Sequence, residues 1–327
     1  LFRSYTDIHY FLKLETGACL VEDPATDVTI LQDRARIACK HQGEPGRCTF
    51  YDAALTQQQI MEQELNALFE KALEQDQFQV YLQPKVRLVD QTVGGAEALV
   101  RWFHPQRGRI GPGDFIPLFE RNGNICKLDL YMFEQVCRLI HRWMNEGRPL
   151  IPISVNLSRA HFKNLNFLRD FSELKERYCI PDGLIEFELT ESIFFNEQQR
   201  ELVRDAVAQM HRLGFLCSLD DFGMGYSALG LLKELDADTI KLDRQFFLDI
   251  ANPKAQRIIT AFVKLAGQLG IEMVAEGIET QEQLEFLQRI GCDLVQGYLY
   301  SKPIPIVDFE NWSQDFLPVI PEKGRRL

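Results

Sequence analysis

Eight short apolar runs, most of them followed by a longer amphipathic stretch, occupy the chain from Gln79 onward. Short apolar runs predict buried strands, and apolar residues spaced three and four apart predict helices. Eight strands alternating with helices over about 230 residues predict an α/β fold, a (β/α)8 barrel of the TIM type. A doubly wound open sheet is the second interpretation. The candidate strands are QVYLQPKV, GGAEALVRW, PISVNLS, LIEFELTE, FLCSLDDF, DTIKLD, IEMVAEGIE and CDLVQGYLY.

The connection between the first two candidate strands is short. Only RLVDQTV lies between them, whereas parallel neighbours need a crossover of a dozen or more residues. We therefore expect an antiparallel first strand and a barrel that is irregular at its start. Glycines stand where helices are expected to end, at Gly147, Gly214 and Gly270.

The chain before the barrel divides into two further segments. Residues 1–54 contain short mixed strands and one helical patch, too little to hold a core alone, and we expect a short α+β remnant of another domain. Residues 55–77 read as a linker helix that packs on the barrel, opened by a capping box formed by Thr56 and Gln59. Residues 78–327 form the predicted barrel domain.

Composition excludes several classes of function. The net charge of −11 argues against binding to polymeric nucleic acid or to an anionic membrane. No apolar run reaches the roughly 18 residues that cross a bilayer, and the eight cysteines show no zinc spacing, as expected for reduced thiols in the cytoplasm. The chain begins at Leu1 without a methionine, so we expect a fragment of a longer protein. One interpretation is that it forms the cytosolic part of a membrane-anchored sensor.

Polar side chains end most of the candidate strands. Because the carboxyl ends of barrel strands face one mouth, where active sites lie, we expect these side chains to meet. Solvated strand ends before loops are the alternative, which is disfavoured because each polar residue interrupts an apolar run. The residues are Glu97, Asn156, Glu188, Asp220 with Asp221, Lys241 with Asp243, Glu276 and Gln296.

The predicted mouth carries six carboxylates, which would destabilise one another without positive charge. Lys241 and Arg101 supply part of that charge, and divalent cations would supply the rest. The candidate ligands are carboxylates and an amide, and oxygen donors suit Mg²⁺ or Mn²⁺. Adjacent carboxylates such as Asp220 and Asp221 can serve two metal ions about 3.5–4 Å apart in an in-line phosphoryl displacement.

From about Leu55 to its end, the chain resembles the EAL-domain family of phosphodiesterases that act on the bacterial messenger cyclic di-GMP. The family takes its name from the stretch that stands here as Glu97-Ala98-Leu99. The other blocks follow the family order: YLQPKV, SVNLS, ELTES, DDFGMGYSAL, IKLD, AEGIET and QGYLYSKP. Met224 and Ala228 depart from the usual residues of their block, which puts rate and metal affinity in doubt but not the ligands.

The resemblance implies a metal-dependent hydrolase that opens one phosphodiester of cyclic di-GMP to give linear pGpG. Two ions of Mg²⁺ or Mn²⁺ are implied. The first would be held by Glu97, Asn156, Glu188 and Asp220. Asp220 would bridge to the second, which Asp221 and Glu276 complete, and Glu276 has also been assigned as a base. Lys241 would orient the nucleophile or stabilise the transition state, so the implied catalytic residues are Lys241, Glu276, Glu97 and Asp220.

The resemblance also assigns residues outside the metal ligands. Arg101 would grip a phosphate oxygen, and the other implied substrate contacts are Gln83, Leu99, Asp243 and Gln296. Glu191 would anchor the loop after Asp221, which helps to form a homodimer contact in the family. Each has a structural alternative: a structural ion pair for Arg101, backbone satisfaction for Gln83 and a helix N-terminal acid for Glu191.

Two other functions stay open at this stage. One is a non-hydrolysing receptor that binds cyclic di-GMP and signals to a partner, and the other is an unrelated barrel hydrolase of phosphoesters. The segment LQDRARIACKHQG…CTFYD resembles the end of a GGDEF domain, the diguanylate cyclase that often precedes this family. The chain has no GGDEF signature, so that site cannot make cyclic di-GMP here.

Overall fold

The computed structural model describes residues 16–40, 48–164, 166–191, 197–223 and 228–316. The chain divides into two compact units, Leu1–Lys71 and Ala72–Leu327. The domain boundaries expected from the sequence, at residues 54 and 77, stay a prediction.

The first unit is built around one β-α-β element. Strand β1 (Thr16–Ala18) pairs in parallel with strand β2 (Cys48–Phe50), and helix α1 (Val28–Lys40) lies between them in the sequence. Helix α2 (Ala53–Glu74) follows. It begins before Thr56, so the expected capping box is wrong: Asp52 Oδ1 accepts from the Ala54 amide at 2.9 Å, which caps the helix one turn earlier.

The second unit contains ten strands and eight α-helices among the described residues. The strands are β3 (Phe78–Arg87), β4 (Val93–His104), β5 (Gly108–Ile110), β6 (Ile153–Asn156), β7 (Ile185–Thr190), β8 (Leu216–Phe222), β9 (Thr239–Leu242), β10 (Glu272–Ala275), β11 (Leu294–Val295) and β12 (Ile304–Pro305). The helices are α3 (Pro112–Asn122), α4 (Ile125–Glu146), α5 (Leu168–Arg177), α6 (Glu197–Arg212), α7 (Ala228–Glu234), α8 (Pro253–Leu269), α9 (Gln281–Ile290) and α10 (Ile306–Trp312).

Eight of the strands close into a barrel. The order is β3-β11-β10-β9-β8-β7-β6-β4, and β4 pairs again with β3. Strands β4 and β6–β11 run parallel, whereas β3 is antiparallel to both of its neighbours. The predicted barrel with an antiparallel first strand is therefore confirmed, and closure excludes the open sheet.

Short elements that the periodicity did not predict complete the sheet edges. Strand β5 forms a hairpin with β4, in which Trp102 pairs with Ile110. Strand β12 pairs with β3 at Leu82 and Tyr81. Because β11 has only two residues, β12 covers part of the edge of β3 that β11 leaves unpaired.

Aromatic side chains fill the layer between the strands and the helices. The ring of Phe187 on β7 lies 5.7 Å from that of Phe133 on α4 and 5.2 Å from that of Phe171 on α5, between centroids. Trp102 is fully buried and its Nε1 donates to Gln77 Oε1 at 3.1 Å. Offset and edge-on pairs of this kind stabilise a core beyond their buried area, so the barrel wall is a firm frame for the strand ends.

The helices end where the glycines predicted. Gly147 and Gly270 cap α4 and α8 in the left-handed conformation, and Gly214 has a φ of 77° just after α6. Each helix returns the chain to the start of the next parallel strand, so seven strand ends meet at one mouth. None of the described helices combines the length and the low charge that crossing a bilayer requires.

Candidate active site

Lys241 lies at the centre of the barrel mouth. It lies on β9 and is 1% exposed to solvent. Its Nζ is within ion-pair distance of four carboxylates at the ends of four different strands. The distances are 2.7 Å to Glu188, 2.8 Å to Glu276, 3.2 Å to Asp220 and 3.4 Å to Glu97. A buried ammonium is stable only with such partners, so the four strand ends are held around one positive charge.

Glu97 is linked to the amides beside it. Its Oε2 accepts from Gln296 Nε2 at 2.6 Å and its Oε1 accepts from Asn156 Nδ2 at 3.3 Å. Gln296 also donates to Gln83 Oε1 at 3.1 Å, and Gln83 is the register partner of Glu97 across the antiparallel pair. The reversed first strand thus contributes a side chain to the same network.

Glu188 lies between two lysines. Its Oε2 accepts from Lys241 and its Oε1 accepts from Lys85 Nζ on β3 at 3.2 Å. Burial alone would raise the pKa of Glu188, but Lys241 and Lys85 outweigh burial and lower it to about 2. Glu188 is therefore a carboxylate at any pH near neutrality.

Asp220, Asp221 and Glu276 form an acidic cluster in which an oxygen of each lies within 4.8 Å of the others. Asp221 has a φ of 55°, a left-handed conformation that Asp tolerates better than most residues. The Asp221 amide donates to Asp220 Oδ1 at 2.9 Å. The two adjacent carboxylates are thereby separated at the end of β8, with Asp220 towards Lys241 and Asp221 exposed.

The pKa values at the mouth show a surplus of negative charge. Burial raises the pKa of Asp220 and of Glu97. Burial also raises the pKa of Glu276, which Lys241 only partly offsets, to about 8. Glu276 is therefore largely protonated near neutral pH, and a carboxyl group in such a site becomes a ligand when a cation supplies the missing positive charge.

The donor set fits a divalent cation. The cluster offers carboxylate oxygens from Asp220, Asp221 and Glu276, and Glu97, Asn156 and Glu188 lie beside it. None of the clustered donors is nitrogen or sulfur, which suits the hard cations Mg²⁺ and Mn²⁺.

A cavity of about 470 Å³ opens beside these side chains. Glu97, Asn156 and Glu188 form its polar end, and Leu99 and Arg101 of β4 line its wall. Arg101 lies over the Tyr81 ring with 5.8 Å from its guanidinium carbon to the ring centroid, and its Nη1 donates to Val100 O at 2.9 Å. Among the described residues its other guanidinium donors make no hydrogen bond, so they can bind an anionic ligand in the cavity.

The contacts at the mouth do not test the predicted roles of Asp243 and Glu191. Asp243 Oδ1 accepts from the Gln245 amide at 2.9 Å and caps a short 3-10 turn. Burial is the main cause of the raised pKa of Asp221, and the charge of Asp243 raises it further. Glu191 follows β7, but residues 192–196 and 224–227 lie outside the described residues. The substrate role of Asp243, the loop-anchor role of Glu191 and the effect of Met224 stay predictions.

The sequence reasoning missed Lys85 and a buried pair on the cavity wall. His161 Nε2 lies 3.1 Å from Asp129 Oδ2, and Asp129 lines the cavity. Burial alone would lower the pKa of His161, but hydrogen bonds with Asp129 and Cys126 outweigh it and raise it to about 9. The signal for Lys85 was its place two residues from Gln83, on the same face of a strand.

The sequence model of the EAL domain family matches residues 66–303. The chain is 36% identical over 280 residues to MucR of Pseudomonas aeruginosa, named a bifunctional diguanylate cyclase/cyclic di-GMP phosphodiesterase, covering 85% of this chain and 40% of MucR. It is 33% identical over 313 residues to PdeR of Escherichia coli, named a cyclic di-GMP phosphodiesterase, covering 95% of this chain and 47% of PdeR. The chain thus spans less than half the length of these relatives.

A solved structure agrees with the sequence comparisons. The PaMucR phosphodiesterase in complex with c-di-GMP is 34% identical to this chain with a TM-score of 0.68. The match covers 75% of this chain and 99% of that one.

Proposed function

The chain belongs to the EAL domain family, and we propose that it hydrolyses one phosphodiester bond of cyclic di-GMP to give linear pGpG. The observation that carries the proposal is the Lys241 centre, where four carboxylates from four strand ends converge on one ammonium. The complete set of carboxylate and amide ligands favours hydrolysis over a receptor that only binds the dinucleotide.

We propose that the carboxylate and amide side chains at the mouth bind two cations, Mg²⁺ or Mn²⁺. Glu97, Asn156 and Glu188 would hold the first, Asp221 and Glu276 the second, and Asp220 would serve both. Bound there, divalent cations supply a water of lowered pKa and offset the charge of the phosphate.

The protein's own groups position and stabilise the reacting phosphate. Lys241 already neutralises part of the surrounding negative charge, and its ammonium can turn towards charge that develops on a phosphoryl oxygen. Arg101 offers a planar set of donors from the cavity wall, which suits a phosphate. Gln296, held by Gln83 and Glu97, keeps Glu97 oriented, while Leu99 gives the cavity an apolar wall for a base.

The proposal is tested by incubating the protein with cyclic di-GMP and either Mg²⁺ or Mn²⁺, then separating the products by chromatography. We expect pGpG with metal and none in EDTA. Asp220→Asn should abolish turnover, whereas Glu173→Gln, which alters an exposed pair with Arg169 on α5, should leave it unchanged. Absence of pGpG with both metals would refute the proposal.

Several finer assignments rest on the same family. We propose a homodimer as the active form and the cytoplasm as its location, with no contact to nucleic acid polymers or membrane by this part of the chain. We also propose a GGDEF-like origin for the first unit, a proposal that the parallel pairing of β1 with β2 supports.

A further inference from the structure

A second buried lysine lies below the mouth of the barrel. Lys85 is on the antiparallel strand β3, its residue is 2% exposed, and it is not among the residues that line the cavity. Its Nζ lies 3.1 Å from Glu186 Oε2 and 3.2 Å from Glu188 Oε1. Lys85 therefore contacts a proposed metal ligand, Glu188, without lining the cavity itself.

The two lysines divide the oxygens of Glu188 between them. Lys241 donates to Oε2 at 2.7 Å and Lys85 donates to Oε1 at 3.2 Å. A carboxylate bound at both ends cannot rotate without breaking a charge-assisted bond. Lys241 also contacts three further carboxylates. The orientation of Oε1 of Glu188 therefore depends on Lys85.

Glu186 holds Lys85 in turn. It lies two residues before Glu188 on β7, so both side chains point into the barrel, and it is 5% exposed. Its other oxygen, Oε1, makes no hydrogen bond among the described residues, so its ion pair with Lys85 is the polar contact that the structure gives it. The order Glu186, Lys85, Glu188, Lys241 is a continuous line of alternating charge from the barrel interior to the mouth.

We propose that Lys85 is a positioning residue for the metal site. By holding Oε1 of Glu188, it keeps the carboxylate in the orientation in which Glu188 would bind a cation. The inference rests on the proposed function, since it gives Glu188 the role of a ligand. Partners that orient a ligand commonly change metal affinity about 10- to 100-fold when they are removed. The positive charge of Lys85 by itself would repel a cation, so a purely electrostatic role predicts the opposite change.

The test measures Mn²⁺ binding by titration calorimetry and by electron paramagnetic resonance, without substrate. For Lys85→Met we expect the Kd for Mn²⁺ to rise about tenfold or more. The control is Lys254→Met, which removes an exposed lysine of α8 and, being outside this network, should leave the Kd unchanged. At saturating Mn²⁺, the KM for cyclic di-GMP should stay at the wild-type value in both variants.

A further variant separates positioning from folding. Lys85→Met leaves Glu186 buried without its cation, so the double variant Lys85→Met/Glu186→Leu replaces both partners with apolar groups, which buried ion pairs often tolerate. We expect its melting temperature to recover while Mn²⁺ binding stays weak. Unchanged or tighter binding in Lys85→Met, an equal loss in Lys254→Met, or full recovery in the double variant overturns the proposal. No Mn²⁺ binding by the wild type would instead overturn the proposed function.

Discussion

Replacing Lys241 with methionine tests whether the barrel mouth is built to accept cations. The ammonium contacts four carboxylates at 2.7–3.4 Å, and methionine retains most of the volume of the side chain without its charge. Removing one partner of a buried ion pair costs about 3–5 kcal/mol, because the other partner is left uncompensated. Protonation of Glu276, whose pKa is already raised to about 8, limits this cost but does not remove it.

The expected change in melting temperature follows from that free energy. A unit of roughly 250 residues loses about 2–4 °C per kcal/mol, so in EDTA the melting temperature of Lys241→Met should fall by about 6–20 °C. A bound ligand at 100 times its Kd adds about 2.7 kcal/mol. Because cations no longer compete with the ammonium, saturating Mg²⁺ should raise the melting temperature of the variant more than that of the wild type.

The assay is thermal unfolding by circular dichroism in EDTA and in MgCl₂, with turnover measured in parallel. The matched control is Lys254→Met, which changes an exposed lysine of α8 and should behave like the wild type. Equal Mg²⁺-induced gains in the variant and the wild type would refute the view that Lys241 and the cations neutralise the same carboxylates. So would retention of wild-type turnover.

Three other substitutions probe separate parts of the site. Glu97→Ala should abolish turnover while circular dichroism shows an intact fold, since Glu97 bonds to polar groups at the mouth; substantial remaining activity would contradict its assignment. Arg101→Ala should raise the KM about tenfold or more through loss of a charged hydrogen bond, with the Mg²⁺ dependence unchanged; an unaltered KM would count against phosphate binding. His161 has its pKa raised to about 9, so its contribution to stability is complete below pH ~6.5 and lost as pH rises towards 9. In His161→Gln, the free energy of unfolding measured in urea should therefore change less with pH across that range. If its slope against pH equals that of the wild type, the pair with Asp129 is not the cause of the pH dependence.

Local patterns in the sequence were enough to predict the strands and their polar ends. The apolar runs that end at Asn156 and Asp220 became β6 and the greater part of β8, and the short loop before β4 correctly required an antiparallel pair. The convergence of Glu188 and Glu276 on Lys241 followed from one rule, that parallel barrel strands end at the same mouth.

Contacts set by the stagger of the closed sheet were not predictable. Lys85 meets Glu188 across the barrel interior, from a strand that runs in the opposite direction, and no local spacing encodes that meeting. The pair of His161 and Asp129 likewise joins a short turn to α4, and an isolated histidine gives no sign of its distant partner. The helix start at Ala53 was missed because Asp52 competed with Thr56 as a cap.

The seam between β3 and β11 has a consequence for how the chain is made. It joins the first strand of the barrel to the last, at Arg87 with Leu294 and Val86 with Val295, so a growing chain cannot close the sheet until the segment through Val295 has left the ribosome. Until then two strand edges offer unpaired amides and carbonyls to other chains. A nascent chain released before Leu294 would retain both edges, and we expect it to aggregate rather than accumulate as a shortened barrel.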